Sequence, residues 1–195
     1  MKIVRRIALT VLGIALYMSA LSQGNWKSDP NHSKLAFSTT HLGISDVSGL
    51  FNSFDARIAS GQADFSDAVF ELTVEVGSIN TQVEMRDNHL RSEDFFHVEK
   101  FPTMSYKSTA ITKTGPDRYK LVGNLTLHGV TREVAMDLWY RGTIENPQSR
   151  EITSGFQLTG SLKRSDFGIG EKFPALMISD EVRITADGEF LKQQG

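Results

Sequence analysis

The densest chemistry in the chain lies in four consecutive residues, Arg86-Asp87-Asn88-His89. A carboxylate and an imidazole can work as acid and base. Two positions apart on a helix, however, Asp87 and His89 point in different directions, and each needs a partner from elsewhere. Arg86 and the distant Arg164 each offer a planar fork of donors that suits a phosphate or carboxylate. Asp87 and Asp166 lie beside them in sequence, so a surface ion pair is the competing reading. There is no GxSxG elbow and no HExxH pair, which leaves hydrolase and metalloprotease chemistry without a nucleophile or ligand pair. Gly168-Ile169-Gly170 has no following helix and is not a phosphate loop. His32, His41, His89, His97 and His128 are scattered without metal-ligand spacing, and there is no cysteine. These patterns yield no catalytic residue, cofactor or metal centre.

The elements that would position such residues are strands. Ala68, Phe70, Leu72, Val74 and Val76 alternate with Glu71, Thr73 and Glu75, the period of a sheet with one apolar face. The same alternation runs through Tyr119–Leu127, Val134–Tyr140, Phe156–Leu162 and Val182–Phe190. Weaker patterns at Lys34–Thr40, Gly49–Ala59 and Met104–Thr112 bring the expected total to about eight strands. His128-Gly129 reads as a tight hairpin, and Gly115-Pro116-Asp117 and Asn146-Pro147 as further turns. Short strands, hairpin connections and no βαβ rhythm predict an all-β, antiparallel barrel or sandwich in one domain. Thr81-Gln82-Val83-Glu84 fits a capping box, predicting a short helix through about Arg91. A second turn capped by Ser92 and a stop at Pro102 would follow. That excursion carries Met85, Leu90, Phe95 and Phe96, which would form either a lid over a ligand or a plug of the core. Gly123, Gly160 and Gly188 fall on apolar strand faces, where they serve either closure of the barrel or room for a ligand.

Composition narrows the class. With 21 Lys+Arg against 23 Asp+Glu and a formal charge of −2, the 195-residue chain lacks the basic excess of a nucleic-acid binder. Lys2, Arg5 and Arg6, the apolar run Ile7–Met18 and small Ala20 and Ser22 read as a secretory signal over residues 1–22. Twelve apolar residues are too few to span a bilayer, which takes about twenty. Cleavage would take the charge from −2 to −5 by removing those three cations, leaving an exported, soluble domain over 23–195.

An ordered set of motifs resembles the YceI-like family. It opens with Trp26-Lys27-Ser28-Asp29, Phe37, His41-Leu42-Gly43-Ile44-Ser45 and Gly49-Leu50-Phe51, and continues through Gly77-Ser78-Ile79-Asn80-Thr81, Arg86-Asp87-Asn88-His89-Leu90 and Asp94-Phe95-Phe96. It closes with Gly123–Thr131, Arg164–Gly170 and Ile178–Val182. The resemblance implies a lipocalin-like, eight-stranded antiparallel β barrel with a short helical excursion after the third strand. It further implies a periplasmic binding protein that holds a polyisoprenoid, an isoprenoid quinone or a similar amphiphile in its lumen, with no enzymatic activity. On that reading Phe37, Phe51, Phe54, Leu90, Phe95, Phe96 and Phe167 are lumen or lid candidates. His41, Arg86, Asp87, His89 and Arg164 are candidates for the head-group end. Two rivals stay open: an enzyme acting on a bound lipid through Arg86–His89, and a packed barrel that serves as an interaction protein. Transient membrane contact and a monomeric or homodimeric state are equally open.

Overall fold

The computed structural model describes residues 24–194, and the segment read as an export signal lies outside them. Eleven strands follow in chain order: β1 Gly24–Ser28, β2 Lys34–His41, β3 Ser45–Phe51, β4 Phe54–Ser60, β5 Val69–Glu75, β6 Ile79–Asn80, β7 Thr103–Gly115, β8 Arg118–Leu127, β9 Val130–Glu145, β10 Ile152–Lys163 and β11 Ile178–Lys192. All pairings are antiparallel, and β1 pairs with both β4 and β11, closing a ring of eight.

Three wall strands are interrupted, which is why eleven segments build eight staves. β1 and β2 lie successively along β11, with Trp26 opposite Lys192 and Leu35 opposite Ala186. β3 and β4 form one broken stave, as do β5 and β6. The Gly49–Ala59 strand expected from sequence is therefore broken at Asn52-Ser53. The breaks are mutually satisfied. Ser78 Oγ accepts from the Ser53 amide at 3.0 Å and donates to the Glu75 carbonyl at 2.6 Å. A broken ladder leaves main-chain groups that must find other partners, and this hydroxyl serves two.

The turns follow local chemistry. His128 (φ 51°) and Gly129 (φ 76°) give the two left-handed positions of a tight hairpin between β8 and β9. A Cβ at residue 129 would meet the Phe101 ring at 2.6 Å, so glycine is required there on two counts. Two of the three inward glycines do not open space in the lumen, whereas Gly188 borders an apolar cavity. The Tyr106 ring lies over Gly123, and the Met136 sulfur fills the place of a side chain at Gly160.

Helix α1 spans Glu84–Arg91, ending where expected. Its start differs from the capping-box reading: Val83 occupies the cap position and no side chain caps it. Thr81 instead donates its hydroxyl to Asp87 at 2.5 Å and its amide to the same oxygen at 2.8 Å. A buried carboxylate needs donors more than the solvated amides of a helix end do. Met85 points out, 81% exposed, whereas Leu90 packs against the core. Ser92 ends the helix, its hydroxyl donating to the His89 carbonyl at 2.7 Å, and the expected turn over Glu93, Asp94 and Phe95 follows, with the Asp94 amide 3.4 Å from Ser92 Oγ and the Phe95 amide donating to the Ser92 carbonyl at 3.1 Å.

Candidate functional site

The two barrel ends are closed by different means. At the end holding the β4–β5 and β7–β8 connections, Phe65 is 2% exposed and serves as a floor. Its ring centroid lies 5.3 Å from Trp26, 5.1 Å from Tyr140 and 4.9 Å from Phe156. The loop that delivers it is fastened by Asp67, which accepts from the Gly61 amide and Ser60 hydroxyl, and by Tyr119, which donates to the Asp64 carbonyl. Sequence reading missed Phe65. The available signal was a lone aromatic in the polar run Gly61–Asp67.

The opposite end carries α1, the residues after it and the 164–177 loop. Phe95 stacks on Phe173 at 4.8 Å and 14°, with the His89 ring edge-on to both. Lys172 bonds Asp94, which also lies 3.4 Å from His89 Nε2. Lys172 first, then His89, hold the half-buried Asp94 carboxyl below its ordinary value. Arg91 ties α1 down, donating to the Gly77 and Ile79 carbonyls at 2.8 Å each.

Between floor and cover lies an apolar cavity of about 180 Å³, whose accessible lining is entirely apolar. A second lobe of about 90 Å³ continues towards the floor, and Leu35, Leu72, Tyr106, Leu158 and Ala186 line both. Phe37, Phe51, Leu90, Phe95, Phe96 and Phe167 line the larger lobe, and Phe54 lines the smaller. Phe95 and Phe96 thus close the end and face the cavity at once. Burial pushes the Tyr106 phenol up to about 12, and its hydroxyl has no partner among the described residues.

The polar candidates gather at the covered end but do not form one cluster. Arg86 donates Nε to Thr81 Oγ1 at 2.7 Å and Nη2 to the Thr81 carbonyl at 2.8 Å. Asp87 faces Thr81 and His89 faces Asp94, so the two form no acid–base pair with each other. His41 is exposed at the end of β2. None of these four lines the lumen. Arg164 does, but all five of its N–H groups are taken by the carbonyls of Ile169, Gly170, Phe173, Ile178 and Ser179. Its partners are carbonyls rather than Asp166, and no donor remains for a head group. His128 is half satisfied: Nδ1 lies 3.0 Å from the Phe167 carbonyl, while Nε2 is buried with no partner among the described residues. Asp29, His32 and Glu189 approach within 4.8 Å at the β1–β2 break, where Asp29 at 2.7 Å raises the exposed His32 imidazole above its ordinary value.

Asp87 sets an acid limit. Burial would raise its carboxyl, but the two Thr81 donors, with Arg91 and Arg86, bring it below the ordinary 3.8. A folded carboxyl that titrates below its unfolded value stabilises fully above the unfolded value and loses that contribution as pH falls through the folded one. Asp87→Asn is expected to cost about 1–3 kcal/mol at pH 7. In urea unfolding, the gap to the parent should narrow below the ordinary carboxylate range; a gap constant down to pH 2 would contradict this assignment.

The YceI-like domain model matches residues 26–190, the whole barrel but its outermost residues. The chain belongs to the YceI-like family. A UPF0312 protein of Staphylococcus aureus is 34% identical over 170 residues, covering 85% of this chain and 96% of the relative. Among solved structures, a Campylobacter jejuni YceI protein superposes with a TM-score of 0.72 at 29% identity, covering 80% of this chain and 90% of that one. A polyisoprenoid binding domain from Saccharophagus degradans shares the fold at 14% identity and a TM-score of 0.67, over 88% of this chain and 100% of that one. The YceI-like barrel predicted from the ordered motifs is the barrel described above, with its helical excursion after the third stave.

Proposed function

We propose that the protein is an exported, periplasmic carrier that holds a polyisoprenoid or isoprenoid-quinone tail in its lumen without altering it. The observation that carries this reading is a lumen covered at both ends whose larger lobe has an entirely apolar accessible surface. Each buried methylene contributes about 0.8 kcal/mol, so a prenyl tail gains from such a space even after it is ordered. The fold shared with the Saccharophagus degradans polyisoprenoid binding domain is consistent with that ligand class. The basic start Lys2–Arg6 with Ile7–Met18 supports export. The absence of bonding between Asp87 and His89, and their position off the lumen, support binding without turnover.

Native mass spectrometry of protein purified from its own host, followed by organic extraction, tests this. A stoichiometric extra mass that extracts as a prenyl lipid or quinone is expected. Protein that arrives empty and takes up no added prenyl lipid would overturn the carrier reading. Conversion of the bound lipid, lost in His89→Ala with the fold retained, would replace it by the enzyme reading.

A further inference from the structure

The barrel wall has a window. β9 and β10 pair from Ile152 opposite Glu145 to Thr159 opposite Asp137, and there the ladder stops. β9 nevertheless extends back to Val130, paired with β8 on its other side, and β10 runs on to Lys163, paired with β11. A closed barrel otherwise leaves no free strand edge. Here the main-chain groups of Val130–Met136 that face β10 have no ladder partner on it. The far side of the opening is tied to the turn after β10 by two bonds: from the β8–β9 turn, His128 Nδ1 with the Phe167 carbonyl at 3.0 Å, and from the start of β9, Arg132 Nε to the Asp166 carbonyl at 3.3 Å.

Outside the window lies a cleft of about 650 Å³. Val134, Leu162, Lys163 and Phe167 line this cleft and also the lumen, so the partition is one side chain thick. The Met136 sulfur sits at the vertex of the splayed strands, over Gly160. A thioether on an unbranched chain is the kind of side chain that swings aside at low cost.

Volume makes the opening relevant to the lumen. A cavity of about 150 Å³ takes one benzene-sized guest. Lobes of about 180 and 90 Å³ therefore hold less than two such guests, far less than a long prenyl chain. The remainder of such a chain needs a way out of the lumen that the covered ends do not offer. The cleft's charge also discriminates. Arg132 and Lys163 face Glu133, Asp166 and Glu181, two cations against three carboxylates, a poor setting for a diphosphate and a suitable one for an uncharged group that donates and accepts hydrogen bonds.

Building on the lipid-carrier reading, we propose that the cleft between β9 and β10 is the head-group site of a prenyl lipid whose chain passes into the lumen through this window, and that it takes an uncharged polar head. The chain has no cysteine, so a bridge can be placed at will. Ala135→Cys with Ser161→Cys puts one thiol on each side of the cleft. Asp137→Cys with Thr159→Cys puts a pair on the last intact rung. Each double variant is purified folded and then bridged with a short bis-maleimide. Uptake of nonaprenyl alcohol from detergent micelles is followed by time-resolved native mass spectrometry.

The bridge at 135 and 161 is expected to slow uptake at least tenfold, while the bridge at 137 and 159 leaves it within twofold of the unbridged protein. Uptake unchanged by both bridges would place entry at the helix-covered end and overturn the window. Nonaprenyl diphosphate is expected to bind at least tenfold more weakly than the alcohol, and equal or tighter binding would overturn the head-group assignment. An unbridged protein that takes up neither probe removes the carrier reading and the window with it, a result distinct from bridge-insensitive uptake.

Discussion

Arg164→Met is expected to lower the unfolding free energy by about 3–5 kcal/mol, the largest stability loss of any single substitution in the covered end. Arg164 is 9% exposed and gives its five N–H groups to five main-chain carbonyls between Ile169 and Ser179. Methionine keeps much of the volume and removes every donor; the Gly170 and Ser179 carbonyls keep the Phe173 amide and the Thr39 hydroxyl, while those of Ile169, Phe173 and Ile178 lose the Arg164 donors. Three of the five carbonyls, on Ile169, Gly170 and Phe173, belong to a loop with little regular structure of its own, and those of Ile178 and Ser179 lie at the start of β11, so the bonds tie the loop to the strand it leads into. Arg164→Lys is expected to recover less than half of the loss, because an ammonium has three donors and lacks the planar fork. Urea unfolding of the three proteins at pH 7 measures both effects. A loss below about 1 kcal/mol for the methionine variant would mean that water replaces the side chain without cost.

Phe65→Ala is expected to cost about 3–5 kcal/mol and to let water reach the lower lobe. The ring lies against three other aromatics, with centroids 4.9–5.3 Å away, and its removal strips all three of a partner. Phe65 also sits at φ 59°, a left-handed position that a side chain occupies only under strain. Phe65→Gly therefore separates two effects: it loses the same ring but relieves the backbone, and should unfold close to the alanine variant despite glycine's greater freedom when unfolded. Hydrogen exchange along Gly24–Ser28 and Phe54–Ser60 should speed up in both. Unchanged exchange there would show that the floor is held by Trp26 and Phe156 without Phe65.

Alternation made the walls readable, because side chains of a half-buried strand must alternate and no other element imposes that period. β5, β8 and β11 are legible for this reason. The breaks at Asn52-Ser53 and Gly77-Ser78 were not, since a stave that changes direction keeps its apolar residues while its pairing shifts. Six of the seven aromatic and aliphatic lumen candidates line the larger lobe, and Phe54 the smaller, because inward-pointing bulk on a barrel strand has nowhere else to go. The charged candidates were harder. An arginine suited to a phosphate and one suited to five carbonyls look identical in sequence, and only the path of residues 169–179 distinguishes them at Arg164. The window was invisible for the same reason: Val134 and Leu162 alternate as if paired, though no ladder joins them.

The Phe65 floor gives the lumen a fixed zero point. A vessel sealed at one end and entered from elsewhere registers its contents from the buried tip outwards. Chains of different lengths would end their tails at the same place and differ only in how much projects beyond the wall. On the proposed carrier reading, such a protein would work as a ruler, distinguishing its cargoes by the overhang rather than by the part enclosed.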